Sequence, residues 1–365
     1  MKIALIRQRF VPHGGAELYL NAVATELVRR GHQVHIYASA WDRSAVPASV
    51  QLHPVPIVRT FSFTRALTFA LSCRGRLARE KFDVVVSFER TLHQDVYRAG
   101  DGCHREYLTQ RLLHSSWLKR ATIWLNPLHA TMLWLERRLF SRSSTRLVIA
   151  NSVQRKEEIV RHYRFPSDRI HVVHNGVDLT RFQPVPRVKS KNDFVLLFVG
   201  SGWRRKGLAH CVQALALLPS YLRLHVFGKG SPKPYLRLAR RLGVSDRVTF
   251  SPPLRKVEDA YACGDVLLLP AIYEPFSNVC LEAMACGLPV VTSRINGASE
   301  LILSGQNGAV IDKPNNVPML AACIRGFLDP ERWRDASRRA RQTAELFPLT
   351  ANVEKMLELI GSLQR

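Results

Sequence analysis

The sequence predicts an α/β protein with two doubly wound parallel sheets, and three observations carry that expectation. Short apolar runs alternate with amphipathic stretches along the chain, the pattern of a parallel sheet flanked by helices. The alternation occurs twice, on either side of a proline-rich, charged segment at 184–191. The 365 residues suffice for two domains, each burying its own core. We expect a first domain over 1–185, a second over 186–346, and a terminal segment over 347–365.

Residues 3–6 (Ile-Ala-Leu-Ile) read as the first strand. The following loop ends in Gly14 and Gly15, which permit positive φ and close approach of a ligand. Residues 16–30 place Leu20, Val23, Ala24, Leu27 and Val28 on one helix face. Gly31 ends that helix and 33–38 is the next strand. Residues 83–88 form an interior strand, and 146–150 another after a long helical stretch. In the second half, strands are expected at 194–200, 222–228, 248–250 and 265–270, with a helix at 208–218.

Composition narrows the function. Seven cysteines, odd in number and scattered, fit a reducing cytosol better than a disulfide framework. None has zinc-like spacing, so neither a metal site nor a cofactor is expected. No apolar run reaches the about 18 residues of a membrane-spanning helix. Arg7 and Arg9 break the apolar start before the core of a signal peptide develops. With 53 basic against 29 acidic residues, the net charge of +24 calls for an anionic partner. Nucleic acid, acidic lipid and phosphorylated saccharide are the candidates.

Glu274 and Glu282 lie eight residues apart, where the 265–270 strand turns into a helix over 279–286. Gly287 and Pro289 stop that helix, and Ser277 or Asn278 is expected to cap its start. Such a turn offers free N–H groups and the positive end of a helix dipole to a phosphate. One carboxylate would hold a ribose diol and the other sugar hydroxyls. Phe276, Ser277, Asn278 and Val279, between them, are candidates to line the same ligand. The segment 200–207 also joins a strand to a helix, but matches neither a P-loop nor a dinucleotide fingerprint. It supplies Arg205 and Lys206, an anion clamp with one bidentate and one point-charge member.

These features resemble the E-x7-E element and flanks of family 4 retaining glycosyltransferases. The Asn175-Gly176-Val177-Asp178 segment is similar to a second feature of that family. The resemblance spans nearly the whole chain and implies the GT-B fold: two Rossmann-like domains facing a central cleft, with the last helix returning to the first domain. It implies retaining, metal-independent transfer of a hexose from a nucleotide sugar. Glu274 and Glu282 would grip the donor, while Arg205 and Lys206 would stabilise the departing diphosphate in place of a metal. Gly14 and Gly15 would approach the donor phosphate and Glu17 the acceptor.

Within the family, 94–107 is most similar to the lipopolysaccharide core glucosyltransferase I group, through Asp95-Val96-Tyr97 and Asp101-Gly102-Cys103. This segment is expected as a loop after the 83–88 strand. The resemblance implies glucose moved from UDP-glucose to a heptose of a membrane-embedded, phosphorylated glycolipid. Asp101 would stand beside the reacting sugar, with His104 as the alternative. GDP-mannose and a UDP-N-acetylhexosamine remain alternative donors. The base would be read near 252–255, which includes Arg255.

Between 105 and 146, Arg105, Arg111, Lys119, Arg120, Arg137, Arg138, Arg142 and Arg146 interleave with Trp117, Trp124 and Trp134. The acids there are Glu106 and Glu136. Cations and tryptophans at helical spacing suit an anionic membrane surface. Motifs of nucleic-acid readers are lacking, so nucleic acid ranks behind lipid. The expected location is cytoplasmic, peripheral on the inner face of the cytoplasmic membrane. Two other classes stay open. A UDP-sugar 2-epimerase of the same fold would turn over without an acceptor. A non-enzymatic basic binding module would tolerate loss of Glu274 or Glu282.

Overall fold

The computed structural model describes residues 1–10, 15–42, 46, 49–113, 122–123, 125–141, 143–184, 194–254 and 256–363. The chain forms two compact units, Met1–His174 with Thr350–Arg365, and Asn175–Leu349.

The first unit holds a seven-stranded parallel sheet in the order Gln51–Pro54, Gln33–Ala38, Lys2–Ile6, Val84–Ser87, Val96–Ala99, Leu147–Ala150, Ile170–Val172. Ile3, Ala4, Leu5 and Ile6 have no exposed surface, so Lys2–Ile6 is apolar on both faces, as a central parallel strand must be. Val96–Ala99 corrects the expectation of a loop over 94–107. All four residues are buried, but one is Arg98, which breaks the apolar run that would have marked a strand. Its guanidinium lies 5.4 Å from the centre of the Tyr19 ring and donates to the carbonyls of Ile149 and Val173 at 3.5 and 3.4 Å.

The helical stretch before 146 contains two described helices, His104–Leu113 and Pro127–Leu139. Pro127 starts the second, and the Asn126 side chain caps it by accepting from Leu128 N at 2.9 Å. The last helix, Leu349–Ser362, is anchored within the first unit. Tyr19 donates to Met356 Sδ at 3.1 Å, Arg30 pairs with Glu354, and Asn352 donates to the His174 carbonyl.

The second unit is a six-stranded parallel sheet ordered Val248–Ser251, Leu222–Phe227, Phe194–Val199, Val266–Leu269, Val290–Ser293, Gly308–Ile311. It begins at Asn175, earlier than the expected 186, because the segment before the linker packs into its core. Val177 and Phe182 are buried there, and Val177 bridges to Pro348. The linker residues 185–193 lie outside the described residues.

In both sheets the strand order reverses once. The reversal falls between Lys2–Ile6 and Val84–Ser87 in the first unit, and between Phe194–Val199 and Val266–Leu269 in the second. Loops leaving the carboxyl ends of such strands are where an open α/β sheet binds ligands. Gly200–Gly207 and Pro270–Ser277 leave those ends in the second unit. Arg7, Phe88 and Glu89 stand at them in the first. Among the described residues, no helix is long and apolar enough to cross a membrane.

Candidate active site

In the second unit the two switch-point loops are bonded to each other. Ile272 N donates to Arg205 O at 2.8 Å, and Arg205 Nη1 donates to Tyr273 O at 2.8 Å. The same nitrogen donates to Glu274 Oε2 at 2.7 Å. Arg205 and Glu274, 69 residues apart in sequence, therefore form one charged unit at the carboxyl ends of adjacent strands. Lys206 beside them is largely buried. Its ammonium fills the space over Gly200, where an added Cβ would lie 2.5 Å from Nζ. Gly200 has φ +116, so it leaves room for the lysine and adopts a backbone that side chains disfavour. Gly207 is tighter still, with φ +83 and a Cβ position 1.9 Å from the Pro270 carbonyl oxygen. Trp203 pins the loop by donating to Gly200 O at 2.9 Å while packing against Tyr235 and Phe250.

Glu282 lies inside the helix Asn278–Ala285 and accepts from the Tyr261 hydroxyl at 2.6 Å. Burial raises its pKa, and the Tyr261 hydrogen bond opposes that rise. The helix start differs from expectation. Ser277 occupies the cap position, yet its side chain makes no cap bond and is buried. The buried Asn296 instead fixes the loop before the helix, accepting from Ser277 N at 3.2 Å and from Ala298 N at 3.2 Å. Glu274 O also accepts from Gly297 N at 3.0 Å. Asn278 Oδ1 is taken by Asn175 Nδ2 at 2.6 Å.

Phe276 is buried in the second unit's core, and the partly buried Val279 packs against it. Pro252, Pro253 and Leu254 are exposed after the Val248–Ser251 strand. Arg255 and Gly14 lie outside the described residues, as does the side chain of Glu17, while Gly15 opens the helix Gly15–Arg29.

In the first unit, Asp101 follows the Val96–Ala99 strand and is half-exposed, 4.0 Å from Arg7 Nη1. The same guanidinium nitrogen donates to Phe88 O at 3.2 Å and lies 3.4 Å from Glu89 Oε1. Glu89 also accepts from Gln8 N at 3.2 Å. Burial lifts the Glu89 pKa, Arg7 pulls it down and Asp101 pushes it up. Arg7 and Glu89, neither of them a candidate site residue from the sequence, thus share a charged cluster with Asp101.

His104 is a different case. Its Nε2 lies 3.1 Å from His129 Nδ1, and burial, with Arg90, His129 and Arg111, depresses its pKa to about 3. His104 is therefore a neutral, bonded imidazole at neutral pH. The depressed pKa has a stability consequence. Below the ordinary 6.5, the unfolded chain takes a proton that folded His104 refuses, so stability falls as pH drops from 6.5 towards about 3. Thermal melts of His104→Gln between those limits are expected to show a shallower acid loss than wild type. Equal slopes would contradict the assignment.

The 105–146 segment divides. Glu106 and Glu136, its two acids, are buried, whereas Arg105, Arg137 and Arg138 are exposed and Trp134 stands partly in solvent beneath Arg138 at 5.8 Å. Leu113 and Leu125 are also exposed. Lys119, Arg120, Arg142, Trp117 and Trp124 lie outside the described residues. The exposed charged side chains of the described part are therefore all basic, and Arg146 among them lies 3.9 Å from Asp95.

A family model described as Glycosyltransferase Family 4 matches residues 13–181, and one described as Glycosyl transferases group 1 matches residues 193–329. The lipopolysaccharide glucosyltransferase WaaG of Escherichia coli is 29% identical over 380 residues, spanning 99% of this chain and 98% of that protein. A D-inositol 3-phosphate glycosyltransferase of Pseudarthrobacter chlorophenolicus is 29% identical over 369 residues, spanning 91% and 86%. The crystal structure of WaaG, described as a glycosyltransferase involved in lipopolysaccharide biosynthesis, matches with a TM-score of 0.84 at 27% identity, over 98% of this chain and 99% of that one.

Proposed function

The chain belongs to the family 4, group 1 glycosyltransferases with the GT-B fold, and from that premise we propose that it moves glucose from UDP-glucose to a phosphorylated glycolipid. The transfer retains anomeric configuration and needs no metal. The observation that carries the donor half is the Arg205–Glu274 ion pair at a sheet's switch point, with Lys206 beside it. Glu274 accepts from hexose hydroxyls and Glu282 from the ribose diol. Arg205 and Lys206 face the diphosphate.

When the bond from the anomeric carbon to the β-phosphate oxygen breaks, negative charge gathers on that oxygen. Two fixed cations meet it there. The acceptor hydroxyl attacks from the face the phosphate leaves, and its proton passes to the departing phosphate. Asp101 orients the acceptor.

Relatives at equal identity carry different names, one a lipopolysaccharide glucosyltransferase and one a D-inositol 3-phosphate glycosyltransferase. What favours a glycolipid here is the set of exposed basic side chains, with Arg138 over Trp134, suited to the anionic inner face of the cytoplasmic membrane. Charge reversal of Arg137 and Arg138, together with Lys119 and Arg120, is expected to abolish salt-sensitive binding to anionic vesicles. Persistent binding would contradict the lipid assignment.

Arg205→Ala or Lys206→Ala should each cost ~1.5–3 kcal/mol in kcat/KM for the donor, the range of a charged hydrogen bond. Kinetics like wild type would remove that residue from the clamp. A thermal-shift series with UDP-glucose, GDP-mannose and UDP-N-acetylglucosamine tests the donor, because a ligand of the folded state raises its melting point. The largest rise is expected for UDP-glucose. Activity should survive chelator, and its loss would contradict metal independence.

A further inference from the structure

Tyr261 belongs to the short helix Glu258–Ala262 and has no exposed surface. Its hydroxyl reaches Glu282 Oε2 at 2.6 Å, and its ring meets Phe182 edge-on with centroids 5.9 Å apart. Packing therefore fixes where the hydroxyl points. The helix is itself tied down. Arg181 Nε and Nη2 both donate to Glu258 Oε2, at 3.1 and 2.8 Å, and its guanidinium lies over the Phe182 ring at 5.1 Å.

Resting on the reading that Glu282 holds the donor's ribose, we infer that Tyr261 is the positioning residue that presents this carboxylate to the diol. A glutamate has several rotamers, and a ligand that must freeze one binds more weakly. The phenol freezes it in advance. It takes one of about four acceptor positions on the carboxylate and leaves the others for a vicinal diol.

The hydrogen bond also governs charge. Burial pushes the Glu282 pKa up, Tyr261, Arg181 and Lys206 pull it down, and Glu258 pushes it up again. Burial and Glu282 together hold the phenol far above its ordinary pKa, so Tyr261 remains a donor at any working pH. Without that donor, Glu282 takes up a proton at higher pH and accepts fewer hydrogen bonds.

The test uses Tyr261→Phe, which keeps the ring and its contact with Phe182, beside Glu282→Ala and wild type, all as the full chain. UDP and 2′,3′-dideoxy-UDP are titrated calorimetrically from about pH 5 to 8, and donor KM and kcat are measured separately. In Tyr261→Phe, UDP affinity is expected to fall about fivefold to thirtyfold, as for one hydrogen bond acting through another. Dideoxy-UDP affinity should hold, the acid limb of UDP binding should move to higher pH, and donor KM should rise with kcat within about twofold. Wild-type discrimination between the nucleotides with an unmoved acid limb would overturn the inference. So would an equal loss for both nucleotides, the mark of a merely structural role. Glu282→Ala separates the two levels: unchanged UDP affinity there would overturn the ribose reading itself, whereas weakened binding there with Tyr261→Phe unchanged overturns Tyr261 alone.

Discussion

Glu274→Gln is expected to lower turnover by about a hundredfold to a thousandfold, the loss of ~2.7–4 kcal/mol that follows removal of one preorganised electrostatic contact. Glutamine keeps the side chain's shape, so the loop should stand. Its anchors are backbone groups and Asn296: Gly297 N on Glu274 O at 3.0 Å, Ser277 N on Asn296 Oδ1 at 3.2 Å. What disappears is the negative charge that pairs with Arg205 at 2.7 Å and that, in the proposed donor site, accepts from sugar hydroxyls. Stability should change little, because Arg205 is partly solvated and ion pairs of that kind contribute at most about 1 kcal/mol. Steady-state kinetics together with melting temperature separates the two effects. Near-normal turnover, or loss of activity only through unfolding, would contradict the role.

The second large effect concerns folding of the first unit. Glu136 has no exposed side-chain surface and pairs with buried Arg90, whose Nε donates to Oε1 at 2.9 Å. Its oxygens also accept from His104 N at 2.6 Å, Arg105 N at 3.3 Å and the Tyr163 hydroxyl at 2.5 Å. One carboxylate thus caps the helix His104–Leu113 and neutralises a buried cation. Glu136→Ala should cost ~3–5 kcal/mol, as removing one partner strands the other charge in a low dielectric. Arg90 also donates to Gly102 O at 2.7 Å, so the turn carrying Asp101 should loosen in the same variant. Denaturant unfolding measures the first effect. A loss under about 1 kcal/mol would show that water or a neighbour replaces the carboxylate.

How much of this was legible in the sequence depends on the range of the contacts. Central strands such as Lys2–Ile6, Phe194–Val199 and Val266–Leu269 are nearly continuous apolar runs, and periodicity finds them. Gln51–Pro54 and Ile170–Val172 lie short and partly polar towards the sheet's edges, where propensity says little. Val96–Ala99 was hidden by Arg98, whose cation lies against an aromatic face and reaches two distant carbonyls.

The site shows the same division. Spacing singled out Glu274, Arg205 and Lys206, and the fold brings the first two into contact. It could not show that Asn296 holds the Ser277 amide, or that Tyr261 holds Glu282. Those are tertiary contacts with no local pattern. Asn296-Gly297 after an apolar strand did carry a turn signal. In the first unit, Arg7 read only as a break in the apolar start that ruled out a signal peptide, although its side chain reaches Phe88, Glu89 and Asp101.

A crystal structure of the full chain soaked with UDP-glucose reads out donor recognition directly. Density should show the ribose diol on Glu282, hexose hydroxyls on Glu274, and the diphosphate against Arg205 and Lys206. A nucleotide bound elsewhere, with both carboxylates unliganded, would contradict it.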